Sequence, residues 1–426
     1  MKITDYDFNF EREKLLRPFK FKGGAFTEKW VNVTAMRAAD GYESTGIGST
    51  AILWSDPAVF SAHTETGGNL LMSALSELSC ALLAQKDFES PVDGITQIFP
   101  ELHEYAKKIT RNDNLRPTFT LNSLIAPDNT LWKLYAAEKK CENFEDLLKI
   151  DYPGVFDFKH DSLACLPLIT YNVTLEEIKE FLSNGVFFLK IKIGQSGSQE
   201  EMLQKDMERL SEIFSIAGNC ETPHTDIGKT VFYLDANGRY ETKELLKQLL
   251  EHCNKIGMLE QILILEEPFP EELEINVEDL PVRIAADESL HSVDDVIRRA
   301  EMGYGAMTLK PAGKTMSMSL MMGKAALERE IPCYVADSAC VPQLVDWNKN
   351  LAARLPLFPG LKCGFMESNG SSFYSRWNKL VKDHPCFGQS WLEPRQGMFS
   401  LDESFYRCSG GIFEQPGHYA ELVKLT

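Results

Sequence analysis

The sequence has no apolar run long enough to span a bilayer, and residues 1–19 alternate apolar with charged side chains instead of forming the apolar core of a signal peptide. We therefore expect a cytoplasmic protein without a membrane partner. An excess of Lys and Arg is also lacking, and the formal net charge is −18. Because nucleic acids and anionic membranes are bound by clustered cations, a small molecule is the favoured partner.

Cysteine and histidine motifs that bind metals or form disulfides are missing as well. The ten cysteines include no CxxC pair, and the eight histidines include no HExxH motif. The sequence therefore predicts neither a zinc site nor a disulfide framework. The cysteines are expected to be free thiols, and the histidines are assigned no ligand role.

The chain has 426 residues, which exceeds the size at which one hydrophobic core stops growing, so we expect more than one packed unit. Residues 1–155 combine strand-like alternation, as in WVNVTAMRAADGYESTGIGS, with helical patterns, which predicts an α+β domain. Residues 156–375 alternate apolar runs with amphipathic stretches, which is typical of a (β/α) barrel. Residues 376–426 lose this rhythm and are expected to return to the first domain.

Eight apolar runs are candidate barrel strands: CLPLITYN, VFFLKIK, VFYLD, ILILE, VRIAAD, AMTLK, CYVAD and LKCGFME. Five consecutive runs end in charged residues, namely Lys190 and Lys192, then Asp235, Glu266, Asp287 and Lys310. Active sites of such barrels form at the carboxyl ends of the strands, so these side chains should converge at one rim. Three carboxylates without cysteine or histidine suit Mg²⁺. The alternative is that each charge only marks a strand leaving the core.

The segments LKIKIG, LDANGRY, LEEPFPEE, AADESL and LKPAG, in that order, resemble the enolase superfamily, specifically its muconate-lactonising subgroup. PFKFKGGAFTEKW and the residues after it are similar to the family's capping domain. The resemblance implies an α/β fold, a modified TIM barrel of (β/α)7β type. Its α+β capping domain would be built from the N-terminal segment and the C-terminal tail.

The resemblance also implies roles for the charged strand ends. Asp235, Glu266 and Asp287 would bind Mg²⁺. Lysines of the second and sixth barrel strands would face each other across a small-molecule carboxylate, with Lys190 and Lys192 on one side and Lys310 on the other. Three features depart from the family pattern: the segment GNCETPHTDIGK before the third strand, KPAGKTMS in place of a glycine pair, and Asp337 and Ser338 where a racemase branch has a histidine.

These residues predict the removal of a proton beside a carboxylate. A dication would stabilise the enediolate, Lys192 would act as the base, and Lys190 would stay cationic and assist the carboxylate. Lys310 would return a proton from the opposite face or pair with the intermediate as a cation. We expect burial and neighbouring cations to lower the lysine pKa values.

The favoured reaction is racemisation or epimerisation of an amino acid derivative or dipeptide. A cycloisomerase, or a β-elimination of the o-succinylbenzoate synthase type, would use the same residues with one active base. A Schiff-base aldolase using Lys310 is an alternative from another class, and a barrel that only binds or scaffolds is a third. The sequence does not decide whether the protein is a monomer or a homo-oligomer.

Three further polar residues are candidates for substrate binding. Asn237 faces the same side as Asp235 but would also serve as a turn residue. Glu367 ends the eighth strand, and Asp337 follows the seventh, where it would equally serve as a loop cap. The aromatic residues Phe19, Phe21 and Phe26 lie where the family's capping loop covers the pocket. Glu267 and Glu288 are interpreted as supporting carboxylates.

Overall fold

The structure, a computed structural model, describes residues 1–21 and 24–426, apart from the side chains of residues 20 and 21. A first sheet contains three antiparallel strands in the order β1-β2-β3: β1 (Ile3–Phe21), β2 (Gly24–Ala38) and β3 (Glu43–Ser49). The tight turn from β2 to β3 contains Gly41 at a φ of 91°, a conformation that favours glycine. The predicted strand, turn and strand between Trp30 and Ser49 are confirmed.

Six helices follow the first sheet: α1 (Ile52–Ser55), α2 (Pro57–Leu83), α3 (Pro91–Thr110), α4 (Pro117–Ser123), α5 (Ile125–Lys139) and α6 (Phe144–Asp151). Proline stands at the start of α2, α3 and α4, where its missing N–H would have no helical partner. The α2 helix is kinked at Thr64, which has a φ of 65°.

The next elements alternate strands with helices: β4 (Ser162–Leu166), β5 (Leu168–Ile169), α7 (Leu175–Ser183), β6 (Phe188–Lys192), α8 (Gln199–Ala217), β7 (Val231–Asp235), α9 (Lys243–Lys255), β8 (Ile262–Glu266), β9 (Ile284–Ala286), α10 (Val293–Glu301), β10 (Ala306–Leu309), α11 (Pro311–Lys314), α12 (Met316–Leu327), β11 (Cys333–Val335), α13 (Pro342–Ala352) and β12 (Gly364–Glu367). The tail adds α14 (Gly370–Phe373), α15 (Trp377–Lys382), β13 (Met398–Ser400) and α16 (Glu403–Cys408). Thr174 and Glu177 form a capping box at the start of α7.

The second sheet is a parallel barrel in which the first strand is interrupted by Pro167. Its order is β13-β4-β12-β11-β10-β9-β8-β7-β6-β5, and β4 and β5 are consecutive pieces separated only by that proline. Since β4 pairs with β12 and β5 pairs with β6, the interrupted strand closes the barrel. The strands pair in parallel, except that β13 lies antiparallel on β4. All eight predicted barrel strands and the TIM-barrel-like fold are confirmed.

Alternation along the strands separates the barrel interior from the layer beneath the helices. In β7, Val231 and Tyr233 pack in the inner cluster, whereas Phe232 and Leu234 pack in the outer core. This two-residue period points Asp235 toward the inner face at the strand's carboxyl end.

The segment GNCETPHTDIGK lies at the opposite end of the barrel. It has no helix or extended strand in residues 218–229, as expected for a loop. Thr225 forms an isolated antiparallel bridge with Leu361, which precedes β12. The segment therefore approaches the amino ends of the strands, away from their charged carboxyl ends.

The helical part of the N-terminal region is fastened to the barrel through Asp128 on α5. Asp128 Oδ2 accepts hydrogen bonds from the backbone N–H groups of Met316, at 2.8 Å, and Ser317, at 3.1 Å, at the start of α12. Asp128 Oδ1 accepts from the Ser317 hydroxyl, which in turn accepts from Trp132 Nε1 at 3.0 Å. All these groups are buried.

The C-terminal tail contacts both sheets. Arg376 forms hydrogen bonds with Glu11 and Glu13 of β1, and Tyr419 donates to Glu13 at 2.7 Å. The division of the chain near residues 155 and 375 stays a prediction. Among the described residues, no helix combines the length and the apolar character needed to cross a membrane.

Candidate functional site

A cavity of about 740 Å³, counting the part open to solvent, lies between the first sheet and the carboxyl ends of the barrel strands. Its barrel side is lined by Lys190, Lys192, Asp235, Asn237, Asp287, Lys310, Asp337, Ser338, Glu367 and Asn369. Its other side is lined by Phe19, Phe26, Glu28, Lys29, Thr50, Leu53, Trp54, Phe60, Glu65 and Asn69, among others. The predicted lysines and the predicted substrate-binding residues thus all border one cavity.

Lys190 and Lys192 project to the same side of β6, as their spacing predicts. Lys190 Nζ lies 3.0 Å from Asp235 Oδ2, 3.3 Å from Glu266 Oε1 and 3.0 Å from Glu367 Oε2. Lys192 Nζ lies 2.6 Å from Asp235 Oδ2. Asp235 therefore forms ion pairs with both lysines.

The lysines that follow β10 form a second group around Asp287. Lys310 Nζ lies 2.6 Å from Asp287 Oδ2, and Lys314 Nζ lies 3.2 Å from Asp287 Oδ1. Gly313 is needed here, because a Cβ at this position would come within 2.6 Å of the Lys310 side chain. Lys314 is fully buried, and no role was predicted for it from the sequence. Its position four residues after Lys310, inside the KPAGKTMS segment that departs from the family pattern, could have indicated that it belongs to the site.

Three buried carboxylates come close enough together to hold a metal ion. Glu266, Asp287 and Glu288 each offer one oxygen, and these oxygens lie within 4.8 Å of one another. Glu266 and Asp287 are two of the three predicted ligands. Asp235, the third, borders the same cavity and is linked to Glu266 through Lys190. Glu288 accepts a hydrogen bond from Asn237 Nδ2 at 2.8 Å.

Two buried tyrosines inside the barrel support the charged groups, one at Glu266 and the other at Lys190. The Tyr334 hydroxyl donates to Glu266 Oε2 at 3.0 Å and accepts from the Thr308 hydroxyl at 2.7 Å. The Tyr233 hydroxyl accepts from Lys190 Nζ at 3.0 Å. Sequence reasoning missed both tyrosines. Tyr233 could have been found, because it lies two residues before Asp235 and so shares its face.

Glu267 points away from Glu266 and supports the end of β9. Its Oε2 atom accepts from the backbone N–H of Asp287 at 2.7 Å and from the Ser289 hydroxyl at 2.9 Å. Burial, reinforced by repulsion from Glu288, raises the pKa of Glu267 to about 8. The contacts of Glu267 with Asp287 and Ser289 agree with the supporting role expected for it.

The lysine pKa values differ from the expectation of a general decrease. Burial disfavours the charged form of Lys190, but attraction by Asp235, Glu266 and Glu367 outweighs it, and its pKa is raised well above the ordinary value. Burial is likewise outweighed at Lys310, where Asp287 and then Glu266 raise the pKa. That expectation counted burial and neighbouring cations, the metal ion among them, whereas each of these amines also directly contacts carboxylates in the folded chain.

Asp337 and Glu367 are anchored by the backbone and side chain of one residue, Asn369. Asp337 Oδ2 accepts from Asn369 N at 2.8 Å, and Glu367 Oε1 accepts from Asn369 Nδ2 at 2.7 Å. Burial, together with the nearby charge of Glu367, raises the pKa of Asp337. The second oxygen of Glu367 contacts Lys190, so this carboxylate orients that lysine.

Aromatic side chains close the cavity from the side of the first sheet. The Phe19 ring stacks on Phe26 with a centroid distance of 5.0 Å and meets Phe373 edge-on at 4.8 Å. Lys310 Nζ lies 4.2 Å from the centroid of a Trp54 ring. The Phe21 side chain lies outside the described residues.

No protein-family model and no curated protein matches the sequence. The structure is similar to that of the mandelate racemase/muconate lactonizing enzyme from Roseiflexus sp., with a TM-score of 0.67, 17% identity and 96% of each chain covered. A mandelate racemase/muconate lactonizing protein from Herpetosiphon aurantiacus gives a TM-score of 0.64 at 18% identity, over 94% of this chain and 96% of that one. The chain has the enolase-superfamily fold.

A dipeptide epimerase from Cytophaga hutchinsonii, solved with Mg and the dipeptide D-Ala-L-Val, also has this fold. Its TM-score is 0.62 at 17% identity, over 88% of this chain and 89% of that one. The similarity to the Roseiflexus sp. protein covers 96% of this chain, so it includes the antiparallel sheet as well as the barrel, and the capping domain expected for the enolase-superfamily fold is confirmed.

Proposed function

We propose that this protein is a magnesium-dependent enzyme that removes the proton beside a carboxylate and returns it, racemising or epimerising an amino acid derivative or dipeptide. One observation carries the proposal: Lys192 and Lys310 enter the same cavity but contact different carboxylates, Asp235 and Asp287. Two amines at separate positions are what proton transfer on two faces of one carbon requires.

The candidate ligands fit Mg²⁺ because they are all carboxylates. Asp235, Glu266 and Asp287 would hold the ion, and Glu288 is close enough to Glu266 and Asp287 to take part. When bound, Mg²⁺ would stabilise the negative charge that develops on the substrate carboxylate during proton removal.

The lysines would divide the remaining work. Lys192 takes the proton on one face, and Lys310 delivers one on the other. If Asp235 and Asp287 held the ion, their negative charges would be neutralised, and much of the attraction that now favours the charged form of the amines would be lost. A lysine could then act as a base. Lys190 contacts three carboxylates and would stay cationic, so that it can bind the substrate carboxylate. Phe19 and Trp54 would exclude water.

The structural neighbours support this class of substrate, since dipeptide epimerases are among them. The anchored carboxylates Asp337 and Glu367, together with Asn237, would position the rest of the substrate.

Solvent deuterium exchange tests the proposal. A panel of dipeptides and N-acyl amino acids, each as separate enantiomers, is incubated in D₂O with Mg²⁺ and followed by NMR at the α-carbon. We expect exchange from both enantiomers of at least one compound and its loss with EDTA. Exchange from one enantiomer only, with water loss or ring closure, would instead indicate β-elimination or cycloisomerisation.

The Schiff-base alternative predicts a different pattern. Activity that survives EDTA, together with borohydride trapping of a carbonyl substrate on Lys310, would contradict the proposal. The variant K310M would then lose the trapped adduct.

A further inference from the structure

Two half-buried cysteines of the C-terminal tail, Cys386 and Cys408, meet beside Gly411. Their thiols are in hydrogen-bonding contact with each other, although they are far apart in the sequence. A Cβ at Gly411 would lie 2.5 Å from Cys386 Sγ, and the backbone N–H of Gly411 donates to Cys408 Sγ. The two sulfurs therefore share one small site against the backbone of Gly411, where a side chain would not fit.

The turn after α16 directs backbone N–H groups at Cys408. Ser409, Gly410 and Gly411 have φ values of 51°, 64° and 86°, and the N–H groups of both glycines donate to Cys408 Sγ. Successive N–H groups in such a turn form a concave site that stabilises negative charge. The hydrogen bond from Cys386, assisted by these N–H groups, lowers the pKa of Cys408 to about 7 against the effect of burial.

The two thiols differ in their roles. The contact with Cys408, together with burial, raises the pKa of Cys386, so Cys386 stays protonated and donates to its neighbour. Cys408 is the better nucleophile of the two, because the thiolate is the reactive form of cysteine. Both side chains are only half-buried, so a small reagent can reach them.

The residues around the sulfurs do not complete a metal site. Both ring nitrogens of His384 are engaged, because Nδ1 accepts from the backbone N–H of Cys386 at 3.0 Å and Nε2 lies 3.0 Å from Asp346 Oδ2. Among the described residues, no third cysteine, histidine or carboxylate joins the two sulfurs in a group compact enough to hold an ion. Since zinc is bound by four such ligands in structural sites, thiol chemistry suits this pair better.

We propose that Cys386 and Cys408 are a redox-active pair that forms a disulfide when the protein meets a peroxide. The Cys408 thiolate attacks one oxygen of hydrogen peroxide, the O–O bond breaks, and Cys408 becomes a sulfenic acid. The hydroxide that leaves takes up the proton that the Cys408 thiol released. Cys386 then attacks Cys408 Sγ, the S–O bond breaks, and a second water carries away the Cys386 proton. Two thiols and one hydrogen peroxide thus give one disulfide and two waters.

The disulfide would fasten the C-terminal tail to itself around β13, which pairs with the barrel strand β4. The tail is already held on α13, since Lys349 Nζ donates to the Trp391 carbonyl at 2.6 Å and Asn350 Nδ2 donates to the Ser409 carbonyl at 2.8 Å. The sulfurs therefore need only a small movement to bond. Because a closed loop restricts the unfolded chain, we expect the oxidised protein to melt about 3 °C higher.

Peptide mapping after peroxide treatment tests the pair. The wild type is treated with hydrogen peroxide at pH 7, free thiols are alkylated, and the unreduced digest is analysed by mass spectrometry. We expect a peptide linking Cys386 to Cys408 to form at least about 10-fold faster than Cys141 is oxidised, because a lower pKa leaves more thiolate. Cys141 is also half-buried, but burial raises its pKa. Dithiothreitol should remove the link.

Two results in the wild type would overturn the proposal. One is that Cys386 and Cys408 can still be alkylated after Cys141 has been oxidised. The other is a link that forms equally fast in protein unfolded by urea, because the pairing would then not depend on the fold.

Serine variants separate the two thiols. In C386S, the sulfenic acid on Cys408 has no thiol to attack it, so it should accumulate and be labelled by dimedone. In C408S, Cys386 should stay reduced at the same dose. The matched control C141S should form the link at the wild-type rate and gain about 3 °C in Tm on oxidation, whereas C386S and C408S should gain nothing. A sulfenic acid that persists on Cys408 in the wild type, without a disulfide, would overturn the proposal.

Discussion

The contact between Asp128 and the start of α12 gives a stability prediction that can be worked from the structure. D128A would leave the buried N–H groups of Met316 and Ser317 without their acceptor. Each unsatisfied buried donor costs about 1–3 kcal/mol, so we expect the loss of the acceptor for both to lower the free energy of unfolding by roughly 2–6 kcal/mol. At pH ~4, where Asp128 is protonated, D128N keeps one oxygen that can accept both N–H groups, and it should cost about 1 kcal/mol or less.

Urea-induced unfolding, followed by tryptophan fluorescence, measures these differences. The control is D402A, which removes the acceptor of Phe405 N at the exposed start of α16 and should cost about 1 kcal/mol. A loss in D128A no larger than that in D402A would refute the reasoning, because it would mean that the two N–H groups find other partners at no cost.

The same residue predicts a dependence of stability on pH. Burial raises the pKa of Asp128 to about 7, above its value of about 3.9 in an unfolded chain. A raised folded-state pKa adds stability that is complete below pH ~4 and is lost as the pH rises toward ~7. Wild type should therefore lose up to ~4 kcal/mol relative to D128N across this range, at 1.36 kcal/mol per pKa unit. Parallel profiles for the two proteins would contradict the prediction.

Two further predictions concern the site. K192M and K310M should each slow α-carbon exchange of one enantiomer by roughly 10²- to 10⁴-fold, the usual contribution of a general acid or base, while the other enantiomer still exchanges with deuterium. Equal losses for both enantiomers in both variants would contradict the proposal that Lys192 and Lys310 each serve one face of the α-carbon. Y334F removes the hydroxyl that donates to Glu266, and it should weaken Mg²⁺ binding by about 10- to 100-fold in calorimetry. Unchanged affinity would mean that Tyr334 does not orient this carboxylate.

The barrel could be predicted from the sequence because each strand carries its own local signal. VFYLD is an apolar run with β-branched and aromatic residues, and it forms β7 from Val231 to Asp235. A charged residue at the end of such a run has to leave the apolar interior, so its position marks the rim. The same reasoning placed Lys190 and Lys192 on one side of β6.

Contacts between distant segments were not available to that reasoning. Lys29 lies in a strand of the first sheet, and nothing near it in the sequence indicates that it meets Ser338. Lys314 was missed because its contact with Asp287 depends on the short helix α11, which begins directly after β10. The directions of the lysine pKa values were out of reach for a related reason, since they depend on which carboxylate each amine contacts in the folded chain.

Metal titration tests the central claim most directly. Mg²⁺ is titrated calorimetrically into the wild type, D235N, E266Q and D287N, with E11Q as the control. Glu11 lies with Glu13 and His418 in a second group of the described residues whose geometry could surround an ion, but there Arg376 already supplies the cation. We predict one ion per chain in the wild type and E11Q, and binding at least about 10-fold weaker in each of the other three variants, because each loses one charged ligand. Unchanged binding in D235N, E266Q and D287N, or a loss confined to E11Q, would contradict the account.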